Sequence, residues 1–163
     1  TNRRTKTMLD LASFNQSVQD TFLSELRTTS SAIKENMRKN NQVATGATID
    51  SIREDVVSNV GSIYGFDHID TLETGISPER SKAVSWIELY GGLTKWFSVK
   101  HGYTAQGKRD KLITSAVVNQ RTMGSQMWRN GITKNVYSQE VDPLVQRLSD
   151  KIGMLVTEIK ILQ

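Results

Sequence analysis

The sequence contains no cysteine, two prolines and two histidines. Without cysteine the chain has neither disulfides nor thiolate metal sites. It also lacks any run of about eighteen apolar residues, so no membrane-spanning helix is expected. No apolar segment follows the first residues, and we therefore expect no secretory signal.

Motifs of catalysis and phosphate binding are missing as well. The chain has no Gly-x-Ser-x-Gly, no Gly-x-Gly-x-x-Gly and no Gly-x-x-x-x-Gly-Lys-Ser/Thr. His68 and His101 lack the second histidine or carboxylate, three or four residues away, that a helical zinc site needs. His68 falls in a predicted strand between acidic neighbours, and His101 in a predicted loop. These absences predict a protein that is not an enzyme and that holds no cofactor or metal.

Composition indicates a rather polar globular protein. Apolar residues make up 37% of the 163 residues and charged residues 23%. This length fits one domain, predicted to span residues 1–163.

The net charge of +4 hides a strong segregation along the chain. Residues 50–79 hold seven acidic residues against one basic residue, Arg53, a balance of −6. Residues 95–134 hold eight basic residues against one acidic residue, Asp110, a balance of +7. Such segments meet partners of opposite charge, here neighbouring copies of the chain or nucleic acid, or are simply solvated surfaces.

The periodicity of apolar residues predicts the secondary structure. Apolar residues about four apart predict a long helix over residues 8–39, with a break near 28–31 where serine and threonine cluster. β-Branched and aromatic residues predict a β-hairpin within residues 48–72, turning at 58–61. The later predicted elements are a short helix around Trp86, capped by Ser77 or Ser81 and ending near Gly91-Gly92, helices over 108–123 and 138–152, and a strand over 154–162 that joins the hairpin.

This element order predicts an α+β fold. It combines a long N-terminal helix, a small and mostly antiparallel sheet made of the central hairpin and the C-terminal strand, and two to three further helices.

Three short motifs give the chain a resemblance to a known family. Thr45-Gly46, followed by Ser51-Ile52, is similar to a Thr-Gly-x-Leu-x-x-Ser-Ile motif that comes after a first long helix. Glu73-Thr74-Gly75 is similar to a Glu-x-Gly-Thr segment after the second hairpin strand. Later matches lie at Gly124, Arg129-x-Gly131 and Val136-Tyr137-Ser138. In this order the motifs resemble those of the tail-completion proteins of tailed bacteriophages, also called head–tail joining or neck proteins.

The resemblance implies a structural virion protein, made in the host bacterial cytoplasm, that forms a ring in the neck between portal and tail. Its partners would be copies of itself and the adjoining portal, adaptor and tail proteins, with non-specific contact to DNA in the channel. Candidate structural or interface residues are Gly46, Glu73, Gly75, His101, Lys108, Arg109 and Lys111.

An alternative is a basic DNA-binding accessory protein that uses residues 95–134. In that segment, Trp96, Phe97, Tyr103 and Trp128 alternate with lysine and arginine. Exposed aromatic rings of this kind stack on bases, whereas buried ones belong to the core.

Overall fold

The computed structural model of the protein describes residues 3–43, 46–66, 68–107 and 110–161. Within these ranges the chain forms eight helices and two strands, so the predicted α+β class is confirmed. In chain order the elements are α1 (Arg3–Lys39), α2 (Ala47–Asp50), β1 (Arg53–Val57), β2 (Val60–Tyr64), α3 (Ile69–Thr74), α4 (Pro78–Ala83), α5 (Trp86–His101), α6 (Lys111–Met123), α7 (Gln126–Arg129) and α8 (Ser138–Ile161).

The contacts of the chain group it into two compact units. The first comprises the described parts of residues 1–36, 49–66 and 136–163, and the second those of 37–48 and 67–135. Each has its own buried apolar side chains: Val18, Leu26, Ile33, Ile49, Ile52 and Val136 in the first unit, and Met37, Ile113 and Val117 in the second. The prediction of one domain over residues 1–163 stays a prediction.

Helix α1 is continuous, so the predicted break at residues 28–31 is wrong. The hydroxyl of Thr28 donates to the carbonyl of Ser24 (3.1 Å), and that of Ser30 to the carbonyl of Arg27 (3.1 Å). In both cases the hydroxyl group bonds to a carbonyl of the preceding turn. The backbone hydrogen bonds of the helix stay in place. The cluster of small polar residues therefore lies inside the helix without ending it.

The predicted hairpin is confirmed, although it is shorter than expected. Strands β1 and β2 are antiparallel, with Val57 opposite Val60. The two turn residues, Ser58 and Asn59, have φ of 51° and 64°, the positive values that a two-residue turn of type I′ requires. The strand-like segment Ala47–Ile52 does not extend the sheet, because Ala47–Asp50 forms the short helix α2.

The inner face of the hairpin packs on α1. A Cβ built on Gly61 would lie 3.0 Å from Phe22 Cδ1 and 2.9 Å from Leu26 Cδ1. Glycine at this position therefore lets strand β2 approach the helix closely. The opposite face is open, and its two valines, Val57 and Val60, are 61% and 65% exposed.

Helix α8 runs antiparallel to α1 and replaces the predicted C-terminal strand, which is wrong. Asn36 contacts Glu140, whereas Glu25, three turns earlier in α1, contacts Arg147 and Lys151, further along α8. The helix passes through Gly153 without ending there. One glycine costs a helix only about 1 kcal/mol, which packing against a neighbouring helix can offset.

In the second unit, α5 begins at a capping box and does not end at the paired glycines. Ser85 Oγ accepts from the N–H of Glu88 (3.2 Å), and the Glu88 carboxylate accepts from the N–H of Ser85 (3.2 Å). The predicted end near Gly91-Gly92 is wrong, since the helix continues to His101 and terminates at Gly102 in the left-handed conformation. Ser77 does cap a helix, the short α4, but not the one that contains Trp86.

Candidate interface surfaces

The segment Glu73–Ile76 is held by a distant part of the second unit. The N–H of Ser125 donates to the carbonyl of Ile76 (2.9 Å), and the N–H of Ile76 donates to Ser125 Oγ (3.1 Å). The N–H of Lys134 donates to the carbonyl of Glu73 (2.8 Å). Backbone bonds on both sides therefore fix this segment against residues some fifty positions later.

Gly75 lies at the centre of this arrangement and has no room for a side chain. Its φ is 82° and its ψ −173°, a conformation that essentially only glycine adopts. A Cβ would lie 2.8 Å from Trp128 N and 3.0 Å from Met127 Cβ, and closer still to Ser125 Oγ. Gly75 is buried and the Glu73 side chain is only 2% exposed. Both residues therefore serve the internal structure of this unit.

Gly46 directly precedes α2 and has φ of 83°. This left-handed value agrees with the predicted change of chain direction at that glycine. Two residues later, Thr48 Oγ1 and His68 Nε2 are 2.9 Å apart. His68 is the N-cap residue of α3, so its predicted place in a strand is wrong.

His101 ends α5 and belongs to an aromatic cluster. Its ring lies 5.1 Å from that of Trp96 and 5.7 Å from that of Phe97, centroid to centroid. The Tyr103 ring also lies near Phe97, at 6.2 Å between centroids. His101 is exposed and lies at the end of a helix, so its predicted place in a loop is wrong.

The loop after α5 is organised by Asp110, a residue whose role sequence reasoning missed. Its carboxylate accepts from Gln106 N (2.8 Å), Tyr103 Oη (2.7 Å), Leu112 N (2.9 Å) and Ile113 N (3.3 Å). These donors, with the Gln106 N–H first, hold the pKa of Asp110 below its usual range. The available signal was an aspartate directly before an amphipathic helix, a typical N-cap.

The same hydrogen bond affects the tyrosine. Because Tyr103 donates to a carboxylate, the pKa of its hydroxyl is raised. Tyr90 supports the loop from α5, since its Oη accepts from the N–H of Asp110 (2.8 Å).

Of the three basic residues predicted to lie at an interface, the structure describes one. Lys108 and Arg109 lie outside the described residues. Lys111 is the first residue of α6 and its side chain is exposed. The described contacts place Glu73 and Gly75 in one cluster and His101 near the Asp110 loop in another, so the predicted residues do not form one site.

Many of the charges counted along the sequence take part in internal contacts. Among the acidic residues, Glu54 accepts from Ser30, and Asp70 pairs with Arg80 at 3.0 Å. Among the basic residues, Lys100 donates to Asn41 (2.6 Å) and Arg121 to the carbonyl of Val84 (2.8 Å). The other exposed charged residues that the structure describes in the two segments are Asp50, Arg53, Asp55, Glu79, Lys95, Lys111, Arg129 and Lys134.

Helix α5 is the most exposed apolar element of the second unit. None of its 16 residues, all of which the structure describes, is buried. The exposed fractions are 82% for Ile87, 49% for Val99 and 42% and 41% for Trp86 and Trp96. Trp128, on α7, is 44% exposed. The alternative in which the tryptophan at position 96 belongs to the core is therefore wrong.

In the first unit, the most buried charge lies between α1 and α8. Glu25 is 3% exposed and accepts from Lys151 and from Arg147 Nε (2.6 Å), and Arg147 also donates to Thr29 Oγ1 (2.8 Å). The bonds from Lys151 and then Arg147 lower the pKa of Glu25. These contacts fix the register of α1 relative to α8.

Among the residues that the structure describes, no three histidine or acidic side chains are arranged to hold a metal ion. Over the same residues, no helix joins enough length to enough apolar sequence to cross a lipid bilayer. Comparison of the chain with protein-family models, with curated proteins and with solved structures gives no match.

Proposed function

We propose that this protein is a structural virion protein of a tailed bacteriophage, forming a ring in the neck between portal and tail. The proposal rests on the order of its motifs and on the resemblance that they carry. A long helix is followed by Gly46, then by a hairpin, and then by Glu73-Thr74-Gly75. The neighbours would be the portal or adaptor on one side and tail proteins on the other.

The observation that best supports this function is the role of the Glu73-Thr74-Gly75 motif. Gly75 is fixed by a backbone conformation and by close contacts with Ser125 and Trp128. The motif therefore specifies a shape, and it brings no reactive group to the surface. A residue pattern that fixes backbone geometry suits a component that acts by its shape.

Exposed apolar residues favour association with other chains. In the first unit they include Val57 and Val60 on the hairpin and Val141, Val145 and Met154 on α8, each at least half exposed. Val57 lies opposite Val60 on the hairpin, and Val141 and Val145 lie one turn apart on α8. Exposed apolar side chains that cluster in this way usually mark an interface with another protein. In a ring, one surface of each subunit meets a different surface of the next, and closure of the ring covers both.

The decisive experiment is a nonsense mutation in the gene during phage infection. We expect DNA-filled heads and separate tails by electron microscopy, and we expect the wild-type protein supplied in trans to restore joined particles. Mass spectrometry of purified virions should detect the protein. Normal particles formed without it, or its absence from purified virions, would refute the proposal.

A matched pair of variants sharpens this test. Gly75→Val should fail to restore joined particles, because the side chain cannot be accommodated beside Ser125. Gly102→Ala should restore them, because no heavy atom that the structure describes, apart from the adjacent residues, lies within 4 Å of a Cβ at that position. Equal activity of the two variants would contradict the shape-based role of the motif.

DNA binding by residues 95–134 is the second proposal, and the exposure of Trp96 and Trp128 favours it. Exposed rings beside Lys95 and Arg129 can stack on bases while the cations neutralise phosphates. The affinity for single-stranded DNA should then fall steeply with salt. Changing Lys108, Arg109 and Lys111 to glutamate should reduce the slope of log K against log salt by roughly 2–3.

The control for this experiment is Arg27→Glu, which reverses an exposed charge on α1, outside the basic segment. It should leave the salt dependence almost unchanged. Binding that is undetectable near 50 mM salt, or equally strong at high salt, would refute the DNA-binding proposal.

A further inference from the structure

One face of α5 is free of bulky groups at its centre, self-complementary in charge, and bordered by apolar side chains. At about 100° per residue, Glu88, Gly92, Lys95 and Val99 fall within a band of roughly 60°, and Gly91 lies beside it. All five are exposed. We call these five residues the Gly91 face. Ile87 and Trp96, 82% and 41% exposed, border it on either side.

The two glycines leave the middle of this face open. Apart from the adjacent residues and the backbone of the helix itself, no heavy atom that the structure describes lies within 4 Å of a Cβ built on Gly91 or on Gly92. Glycine in a helix interior destabilises the helix relative to alanine, and two glycines in succession do so twice. Close approach of another helix is a physical reason for such a pair. Without side chains at the contact, the two helix axes can approach to the short end of the usual range of about 8–10 Å, or closer.

The charges on the face identify the partner. Glu88 and Lys95 lie at equal distances on the two sides of the Gly91–Gly92 centre. An antiparallel second copy of α5, crossing at that centre, would place Gly91 opposite Gly92 and Glu88 opposite Lys95. Two-fold symmetry would form the ion pair twice.

The carboxylate of Glu88 can cap α5 and bind a lysine of another chain at the same time. Its Oε2 accepts from Ser85 N (3.2 Å) and Ser85 Oγ (2.8 Å) in the capping box. Oε1 is then available for a lysine of another chain. The cap also fixes the carboxylate on the first turn of α5, so that little conformational entropy is lost when the lysine binds.

We propose that two copies of this chain associate through the Gly91 face, with their α5 helices antiparallel and the two Glu88–Lys95 pairs flanking the crossing. The apolar border residues Ile87 and Trp96 lose exposure in this contact. The association is isologous and differs from the head-to-tail contact of a ring, so it does not rest on the proposed neck function. Virion incorporation and this dimerisation are tested separately.

Sedimentation of the purified chain, up to about 300 µM, tests the contact in the range expected for a small interface. Wild type should approach twice the monomer mass. Lys95→Glu should raise the dissociation constant at least about tenfold, because two ion pairs become two like-charge pairs. Glu88→Lys should do the same. An equimolar mixture of the two variants should dimerise again, since every glutamate then faces a lysine.

Two further variants separate the contact from folding. Gly91→Leu should abolish dimerisation and yet raise the melting temperature, because leucine favours the helix and has open space within the chain. Lys111→Glu, an equal change of charge on α6, should dimerise like wild type. A monomeric wild type, dimeric Lys95→Glu or Gly91→Leu variants, or a mixture that stays monomeric would each overturn the proposal.

Discussion

Replacing Gly75 with alanine should destabilise the second unit far more than the loss of a glycine usually does. The backbone at this residue has φ of 82° and ψ of −173°. A residue with a Cβ in this region costs about 1–3 kcal/mol. The conformational term alone is therefore a sizeable fraction of the roughly 5–15 kcal/mol that stabilises a typical domain.

The packing around the position adds a second cost. The new methyl group would lie 2.8 Å from Trp128 N, which is backbone, and closer still to Ser125 Oγ. That hydroxyl oxygen accepts from the N–H groups of Ile76 (3.1 Å) and Trp128 (3.3 Å). Moving it weakens two hydrogen bonds worth about 1 kcal/mol each. We expect a total loss of about 3–5 kcal/mol.

Gly102→Ala is the matched control. Gly102 also has positive φ, 63°, but its surroundings are open within the described chain. Only the left-handed backbone then opposes alanine, at about 1–2 kcal/mol. The difference between the two variants, about 2–3 kcal/mol, measures the contact with Ser125 and Trp128.

Tryptophan fluorescence during thermal unfolding follows this unit specifically, since the chain's 3 tryptophans lie at positions 86, 96 and 128. With about 2–4 °C per kcal/mol for this chain length, Gly75→Ala should lower the melting temperature by roughly 6–20 °C. Gly102→Ala should lower it by roughly 2–8 °C. If the two variants melt together, the described contacts of Gly75 do not constrain the fold and the reasoning fails.

Three further predictions concern the polar contacts. Because Lys151 and Arg147 lower the pKa of Glu25, the unfolded chain takes up this proton at a higher pH than the folded one. The stabilisation is then complete above the ordinary glutamate pKa of about 4.3 and is lost as pH falls below it. Denaturant unfolding from pH 6 to 3, monitored by circular dichroism, should show this loss. Glu25→Gln should reduce it and leave the share of Asp110, whose pKa is also lowered. Asp110→Ala should bring the raised pKa of Tyr103 back toward the ordinary tyrosine value, as an ultraviolet titration would detect. An unchanged titration would contradict the contact. Ser85→Ala should cost about 1 kcal/mol through loss of the cap of α5, with faster hydrogen exchange in its first turn. Unchanged exchange there would mean that the cap does not hold the helix end.

Local chemistry explains which elements could be predicted from the sequence. The hairpin was predictable because β-branched residues flank Ser58-Asn59, and asparagine tolerates the positive φ of a tight turn. The helix from Lys111 to Met123 was predictable because its apolar residues share one face and Gly124 ends it. In both cases the signal lies within the segment that forms the element.

Elements that depend on distant partners could not be predicted in the same way. The alternation after Gly153 is typical of a strand, yet Leu148, Ile152 and Leu155 are also spaced for one helical face, and all three are half-buried. Periodicity alone does not choose between these structures. Contacts of α8 with α1, through Glu25, are long-range interactions that favour the helix.

The candidate residues also differ in whether their structure depends on the local sequence or on distant residues. The positive φ of Gly46 and Gly75 was foreseeable because glycine so often occupies such positions. The burial of Glu73 was not, since its environment comes from Lys134 and other residues far along the chain. A carboxylate in a predicted loop is ordinarily exposed, and only the fold reveals that this one is covered.

Charge counted along a sequence overstates the charge that a partner meets. Asp70 and Arg80 form an ion pair, and Arg121 donates hydrogen bonds to backbone carbonyls of the same unit. What the second unit presents to another protein is therefore decided less by the acidic and basic segments than by α5, where apolar side chains stay exposed. On that helix, Glu88 and Lys95 favour the antiparallel alignment, since a parallel in-register alignment would place Glu88 opposite Glu88 and Lys95 opposite Lys95.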